Sequence, residues 1–179
     1  MIRWFKLNTV ELSMSIIDGF IIWIHLLSAS IWVGGSIFIG IILAPMLKHI
    51  GNSLEERVII MIKIGRRFNN IAFPSFIILM STGLYNSRFF FEYPDNFIET
   101  DYGILLLVKI VLVIITFASY IIHIKSFGKE TEAKIIEYRG SEYINIIRSK
   151  IINYGRLTVI LSIIILLLAA FLDTGIKFS

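Results

Sequence analysis

Cysteine is absent from this chain of 179 residues, and proline occurs only three times. Without thiols the protein can form no disulfide, no thiolate metal site and no cysteine nucleophile. The sequence also lacks a glycine-rich phosphate loop, a zinc-ligand spacing and a plausible Ser-His-Asp arrangement. These absences exclude several of the common enzyme and metal-site classes.

Hydrophobic residues make up 56% of the chain, and the mean hydropathy is +0.82. A soluble domain of this size could not cover so much apolar surface, so the composition indicates a membrane protein. A helix needs about 20 residues to cross the hydrocarbon core. Runs with almost no charge predict four spans, at about 19–47, 68–87, 102–124 and 157–172. The last run is short, and Arg156 is expected to snorkel to the interface.

The predicted fold class is therefore an all-α bundle of four transmembrane helices, in one domain covering 1–179. The first 15 residues have no continuous apolar core like that of a signal peptide, so the first helix is expected to be retained. The expected location is the plasma membrane, with the lipid bilayer as the first partner.

Lysine and arginine are distributed unevenly between the two sides of these spans. The connections 48–67 and 125–156 carry 12 of them, and the opposite side carries 4. The positive-inside rule then predicts two basic cytoplasmic loops and places both termini outside. A role in topology accounts for the basic charge, and we expect no nucleic-acid partner. Within the loops, Ser53 with Glu56 indicates a capping box, and a further helix is expected to begin near Ser141.

His25 and Lys109 are the two ionisable residues that stand out inside the predicted spans. If the first helix enters from outside near Asp18 and the third near Asp101, His25 lies about 10 Å deep and Lys109 about 12 Å deep. Ionisable groups inside a membrane are candidates for function. Two structural alternatives stay open. The imidazole could make a single hydrogen bond to a neighbour, and the lysine could snorkel to the interface.

Helical phase adds two residues to this pair. Residues seven apart stay close to one face of a helix, so Trp32 lies in a row with His25, and Thr116 with Lys109. Polar rows inside a membrane are expected to face the bundle interior. We therefore predict that these four residues are candidates for cofactor binding. The alternative for Trp32 is packing, and the glycine pair 34–35 fits either close helix contact or room for a flat cofactor.

A metal site is the second interpretation of the same region. Copper(I) prefers thioether and imidazole ligands where thiolates are absent. Met14, His25 and Met80 would form such a site in the outer half of the membrane if their helices converge.

Three segments resemble the copper-resistance D (CopD) family. They are TDYGILLLVKIVLVIITFASYI from Thr100, IHLLSASIWVGG in the first span, and IGRRFNNIAFPSFIILMSTGLY before and within the second. The resemblance is best from about Arg66 to Asp173. It implies copper handling in a cell membrane. Typical members are longer and have more spans, so this chain resembles the terminal four-helix unit, and a homodimer would rebuild a larger bundle.

The same residues also resemble the HemJ-like protoporphyrinogen oxidase group. Members of that group carry a histidine in the first helix and a lysine in the third, and both are tied to haem b. The resemblance implies a haem b-binding redox protein that uses His25 and Lys109.

Three functions thus remain open from the sequence. The first is copper binding or translocation, the second is haem-dependent redox chemistry, and the third is a structural subunit of a membrane complex. The cofactor is copper or haem b, and the sequence leaves the choice undecided.

Overall fold

The computed structural model describes residues 9–92, 95–125, 128–137 and 141–174, and within these ranges every regular element is helical. In chain order the elements are α1 Thr9–Ala29, π1 Ser30–Gly34, α2 Gly35–Ile37, π2 Phe38–Leu43, α3 Ala44–Ile50, α4 Leu54–Asn86, α5 Arg88–Glu92, α6 Asn96–Glu99, α7 Asp101–Lys125, α8 Lys129–Glu137 and α9 Ser141–Thr174. The all-α class predicted from the sequence is confirmed.

The first five elements run on without a break as one long helix, residues 9–50, that contains two π-helical segments. Such segments leave some backbone carbonyls without their usual partner. Side-chain hydroxyls bond to carbonyls here: Ser30 donates to Leu26 at 2.9 Å, and Ser36 donates to Trp32 at 2.7 Å. Pro45, which has no N–H, lies in the first turn of α3, directly after π2. These π segments were not predicted from the sequence.

Helix α4 begins much earlier than the predicted second span. Its N-cap is Ser53, whose Oγ accepts from the backbone N–H of Glu56 at 3.1 Å, and the Glu56 carboxylate accepts from the N–H of Asn52 at 2.9 Å. The capping interaction predicted from the sequence is therefore confirmed. Most of the predicted loop 48–67 is helix as a result, and Pro74 lies inside α4 without ending it.

The fourth long helix begins where the sequence indicated. Helix α9 opens at Ser141, so the predicted span 157–172 continues a helix that starts before Arg156. That predicted span is the C-terminal half of α9. The second predicted loop thus consists largely of α8 and the first turns of α9.

Three helical stretches of the described residues are long and apolar enough to cross a membrane: Ile16–Ile50, Asp101–Lys125 and Glu142–Thr174. The predicted span 68–87 lies in α4, which does not reach the same mean hydropathy. Polar residues such as Asn69, Asn70 and Asn86 dilute its apolar run. Composition thus supports three of the four predicted spans, and whether α4 also crosses depends on how it packs.

The helices pack in two pairs, the first long helix against α4 and α7 against α9. Three apolar clusters lie between them. The inner cluster joins α4, α8 and α9 and contains Val58, Ile62, Ile135, Ile144 and Ile151. The central cluster is built on Trp32, Val33, Ala72, Phe76 and Tyr120, and the outer cluster on Leu105, Leu106 and Leu172. We call the end of the bundle that holds α8 the inner end. The two basic connections are therefore a packed layer at the inner end.

Large apolar side chains cover the outside of the bundle. Ile41 is 64% exposed, Phe20 59% and Leu167 52%. A water-facing surface of this kind would be unfavourable, whereas a lipid-facing one is not. The surface is consistent with a lipid bilayer around the helices.

Candidate functional site

His25 of α1 contacts Thr82 of α4, with 2.7 Å between the imidazole Nδ1 and the hydroxyl Oγ1. Gly83 lies beside the ring, and a Cβ at that position would be 3.5 Å from the imidazole Cε1. The side chain of His25 therefore faces α4 inside the bundle and not the lipid. The sequence predicted that the row of polar residues on this helix faces the bundle interior, and His25 has that orientation.

The hydroxyl of Thr82 determines which imidazole nitrogen carries the proton. Thr82 donates to the carbonyl oxygen of Ile78 at 2.6 Å. A hydroxyl has a single hydrogen, so when Thr82 gives it to Ile78 the imidazole is the donor of this contact, from Nδ1. In the neutral ring the lone pair is then on Nε2. An imidazole held in this way is prepared to bind a metal through Nε2.

A second polar contact lies two helical turns outward along the same helix pair. The carboxylate of Asp18 accepts from the hydroxyl of Tyr85 at 3.0 Å and from the guanidinium of Arg88 at 3.2 Å. The same guanidinium stacks over the Tyr85 ring at 4.2 Å from its centroid. These contacts fix the outer ends of α1 and α4 together and hold His25 in register with Thr82.

Lys109 of α7 is half-buried and lies close enough to His25 for the two side chains to interact electrostatically. Topology alone predicted that both residues lie at one depth. The two residues belong to different helix pairs.

Trp32 lies seven residues further along the first long helix and is only 3% exposed. Its indole Nε1 donates to the hydroxyl of Ser162 in α9 at 3.1 Å. Its ring packs against Phe76 and Tyr120, with centroid distances of 4.5 and 4.6 Å. Trp32 is thus enclosed by protein and connects the first long helix to the other three.

The remaining candidates are more dispersed. Thr116 is buried but donates to the carbonyl of Leu112 in its own helix at 2.7 Å. Met80 is half-buried against the central cluster, one helical turn before Gly83. Met14 belongs to α1, and its side chain lies outside the described residues. The structure therefore places Met80 near the face of α4 that His25 contacts.

The comparison with protein families decides the classification. The model of the copper resistance protein D family matches residues 62–172, which is more than half of the chain. The chain belongs to the CopD family. The resemblance found in the sequence is thereby confirmed, and the protein is a multi-pass membrane protein of a copper-resistance family. No curated protein and no solved structure matches it.

The matched range includes Thr82, Lys109 and Ser162 of this CopD-family chain, but His25 and Trp32 precede it. Within the described residues no group of three histidine, aspartate or glutamate side chains is placed to hold a metal ion.

Two functional contacts were not predicted from the sequence. Ser162 is the only residue with a polar side chain between Thr158 and Asp173, and this was the signal that could have indicated it. The joint contact of Tyr85 and Arg88 with Asp18 was also not predicted. In both cases the partners lie on different helices far apart in sequence.

Proposed function

We propose that this CopD-family protein binds a copper ion at His25 and passes it across the membrane. The observation that supports the proposal is the contact between Nδ1 of His25 and Oγ1 of Thr82, which directs the Nε2 lone pair toward a ligand. Copper is the cargo here. An imidazole in a fixed tautomer inside a membrane is a suitable first ligand for it.

Met80 supplies the second ligand in this proposal through its thioether sulfur. It lies on the α4 face that carries Gly83, the residue beside the His25 ring. Met14 precedes His25 by 11 residues on the same helix, which is about 16 Å along the helix axis, so it would bind the ion before His25 does and not together with it. A mixed imidazole and thioether set favours Cu(I) over harder cations.

Lys109 opposes the transfer of copper beyond His25. A fixed positive charge close to a metal cation repels it strongly where the dielectric constant is low. Lys109 therefore weakens copper binding at His25 and slows the transfer of copper toward the inner end. Onward passage would follow the row of Lys109 and Thr116 toward the inner end.

The proposal includes the topology expected from the sequence. All four long helices cross the membrane in it, including α4, and both termini lie outside. Helix α4 is acceptable as a span because its polar side chains find partners inside the bundle. Thr82 bonds to His25, and Asn69 accepts from the hydroxyl of Tyr120.

The test is copper binding to the purified protein in detergent, measured by metal analysis and by competition with a Cu(I) chelator. His25→Ala should lose the bound copper. Thr82→Val should weaken copper binding about 10- to 100-fold, because the imidazole loses its orienting partner. Thr82→Ser, which keeps the hydroxyl, should retain copper. His49→Ala is the matched control, since His49 is exposed at the end of α3.

Lys109→Leu separates copper from the haem alternative. Removal of the lysine charge without a new ligand should strengthen copper binding if copper occupies His25. Wild-type copper content in His25→Ala would contradict the proposal.

A haem b-binding redox protein is the second candidate, and the electrostatic contact of His25 with Lys109 favours it. Imidazole is an ordinary haem ligand, and a neutral lysine amine could be the other. The described cavity of about 240 Å³ is lined by neither residue, so haem would need the helices to separate at this level. A visible spectrum of the oxidised and reduced protein tests this candidate. A Soret band that disappears in both His25→Ala and Lys109→Leu would establish it.

The third candidate is a structural subunit of a membrane complex, with every polar group serving only the fold. Unchanged metal and haem content across all these variants would support it and would remove both site assignments. A homodimer that rebuilds a larger bundle is compatible with each candidate. The protein mass of the purified particle, after subtraction of the bound detergent, tests for it.

A further inference from the structure

A cavity of about 240 Å³ opens among the long helices at the inner end of the bundle, well away from His25. Most of its lining is apolar, and it includes Trp32 and Phe68. Several residues with hydrogen-bonding side chains also line it, and three of them come from the inner ends of α4 and α8: Arg66, Asn69 and Lys129. The copper pathway proposed above does not use these three residues.

The donors around the cavity are available to a ligand. The Nε of Arg66 is buried and has no hydrogen-bond partner among the described residues. The side-chain oxygen of Asn69 accepts from the hydroxyl of Tyr120, which leaves the amide NH₂ of Asn69 as a donor. An orphaned buried N–H is unfavourable, so a ligand acceptor at Arg66 would be stabilising.

The charge balance at this end is positive. Glu132 is the acidic residue closest to Arg66, and two cations contact it, Arg66 at 2.5 Å and Lys63 at 3.5 Å. Glu130 is paired with Lys134 at 2.7 Å. Lys129, at the first residue of α8 and at the cavity wall, has no ion pair among the described residues, and the helix dipole there also favours an anion.

We propose that this cavity binds the phosphate group of an anionic phospholipid, with an acyl chain along its apolar wall. Basic pockets between membrane helices on the cytoplasmic side are a known type of lipid-headgroup site. Arg66, Asn69 and Lys129 hold the phosphate oxygens, and Phe68 and Trp32 contact the lipid body. The proposal goes beyond the copper function and does not depend on it. Only the assignment of the lipid to the cytoplasmic leaflet relies on the proposed topology.

Trp32 provides a reporter, because the chain has only three tryptophans and this one lines the cavity. The experiment uses the full chain in detergent with Trp4→Phe and Trp23→Phe. Short-chain phosphatidylglycerol, the matching phosphatidylcholine and inorganic phosphate are titrated separately while Trp32 emission is recorded. Saturable binding of phosphatidylglycerol, with much weaker binding of phosphatidylcholine, is the expected result.

Variants then test the assigned donors. Arg66→Gln should weaken phosphatidylglycerol binding about tenfold or more, because a charge-assisted hydrogen bond is lost. Arg67→Gln is the matched control: Arg67 is the next residue along α4 and is exposed, and it does not line the cavity. It should bind like the parent protein.

Two further variants keep the test valid if Arg66→Gln fails to fold. Gly65→Leu adds a side chain where a Cβ would meet nothing within 4 Å, so it should fill the cavity and prevent binding without any change in charge. Lys129→Gln should weaken binding and leave the Arg66 and Glu132 ion pair in place.

Three outcomes would overturn the proposal. Equal binding of the two lipids would show that charge is not recognised. Equal losses in Arg66→Gln and Arg67→Gln would indicate general surface attraction. Phosphate binding as tight as that of phosphatidylglycerol would identify a site for a free anion. None of these results bears on the copper content of His25→Ala, so failure here is distinct from failure of the proposed function.

Discussion

Trp32 and Ser162 share a hydrogen bond of 3.1 Å across 130 residues of sequence, and both side chains are almost fully buried. The bond joins the first long helix to α9, and the Trp32 ring fills the space between Phe76 and Tyr120. One side chain thus contacts a residue on each of the other three long helices. Along the first long helix Trp32 follows His25 toward the inner end, where its side chain lines the cavity.

Loss of this hydrogen bond should lower stability modestly. Trp32→Phe removes the indole donor and Ser162→Ala the acceptor, and each should lower the melting temperature in detergent. A double-mutant cycle should give a coupling energy of about 0.6 kcal/mol, the average for hydrogen bonds between membrane helices. Ser81→Ala is the control, because Ser81 is exposed and bonds only to Ile77 of its own helix. Additive effects of the Trp32 and Ser162 changes would contradict the coupling.

The two adjacent glycines of the first long helix should respond differently to alanine. A Cβ at Gly35 would lie 2.3 Å from Cε2 of Phe68, whereas a Cβ at Gly34 meets nothing within 4 Å. Gly35→Ala should therefore destabilise the protein by about 1–3 kcal/mol through overpacking. Gly34→Ala should be neutral or slightly stabilising. Thermal unfolding of both variants checks this, and Phe68→Leu should restore the stability of Gly35→Ala.

Acidification should weaken the inner end of the bundle through Glu132. The hydrogen bond from Arg66 holds the pKa of this carboxyl below its ordinary value, and the charges of Arg66 and Lys63 act in the same direction. A carboxyl with a lowered pKa contributes stability above its unfolded pKa and loses it as the pH falls through the folded pKa. The melting-temperature difference between wild type and Glu132→Gln should thus be constant near neutral pH and shrink below about pH 5.

Glu137→Gln is the control for this pH series, because Glu137 is an exposed residue of the same helix α8. Its difference from wild type should show no comparable change with pH. A pH-independent difference for Glu132→Gln would show that the ion pair contributes nothing to folding.

Steric pressure on His25 should affect metal binding without removing a ligand. A Cβ at Gly83 would already lie 3.5 Å from the imidazole Cε1, so Gly83→Leu places a large side chain against the ring. The ring should be displaced from Thr82, and copper content should fall as it does in Thr82→Val. Gly83→Ala, which makes an ordinary contact, should retain copper. Metal analysis of both proteins is the measurement. Loss of copper in Gly83→Leu alone would show that binding needs the imidazole in its position beside Thr82.

The absence of native cysteine allows a direct test of the proposed topology. Single cysteines at Asn52, Ile98 and Glu137 are predicted to differ in how they are labelled when intact cells are treated with a membrane-impermeant maleimide. Ile98→Cys, which replaces a residue that is 77% exposed, should be labelled. Asn52→Cys and Glu137→Cys should be labelled only after the membrane is opened. Equal labelling of Asn52→Cys and Ile98→Cys would mean that α4 does not cross the membrane.

Local and compositional features of the sequence were sufficient for the all-α class, the family and the helix starts at Ser53 and Ser141. Apolar runs and capping residues act over a few neighbours, so they can be identified without a fold. The equal depth of His25 and Lys109 followed from the same kind of reasoning, because topology and rise per residue determine it. Their electrostatic contact agrees with that argument.

The pairing of side chains across helices required the tertiary structure. Nothing local links Trp32 to Ser162, or Asp18 to Tyr85 and Arg88, since each contact depends on the rotation and register of two packed helices. The same holds for the distinction between Gly34 and Gly35, which depends on where Phe68 lies. The π segments of the first long helix and the inner cavity likewise arise from packing. Sequence thus predicted the long helices and two of their starts, and only the packed helices decided which side chains meet.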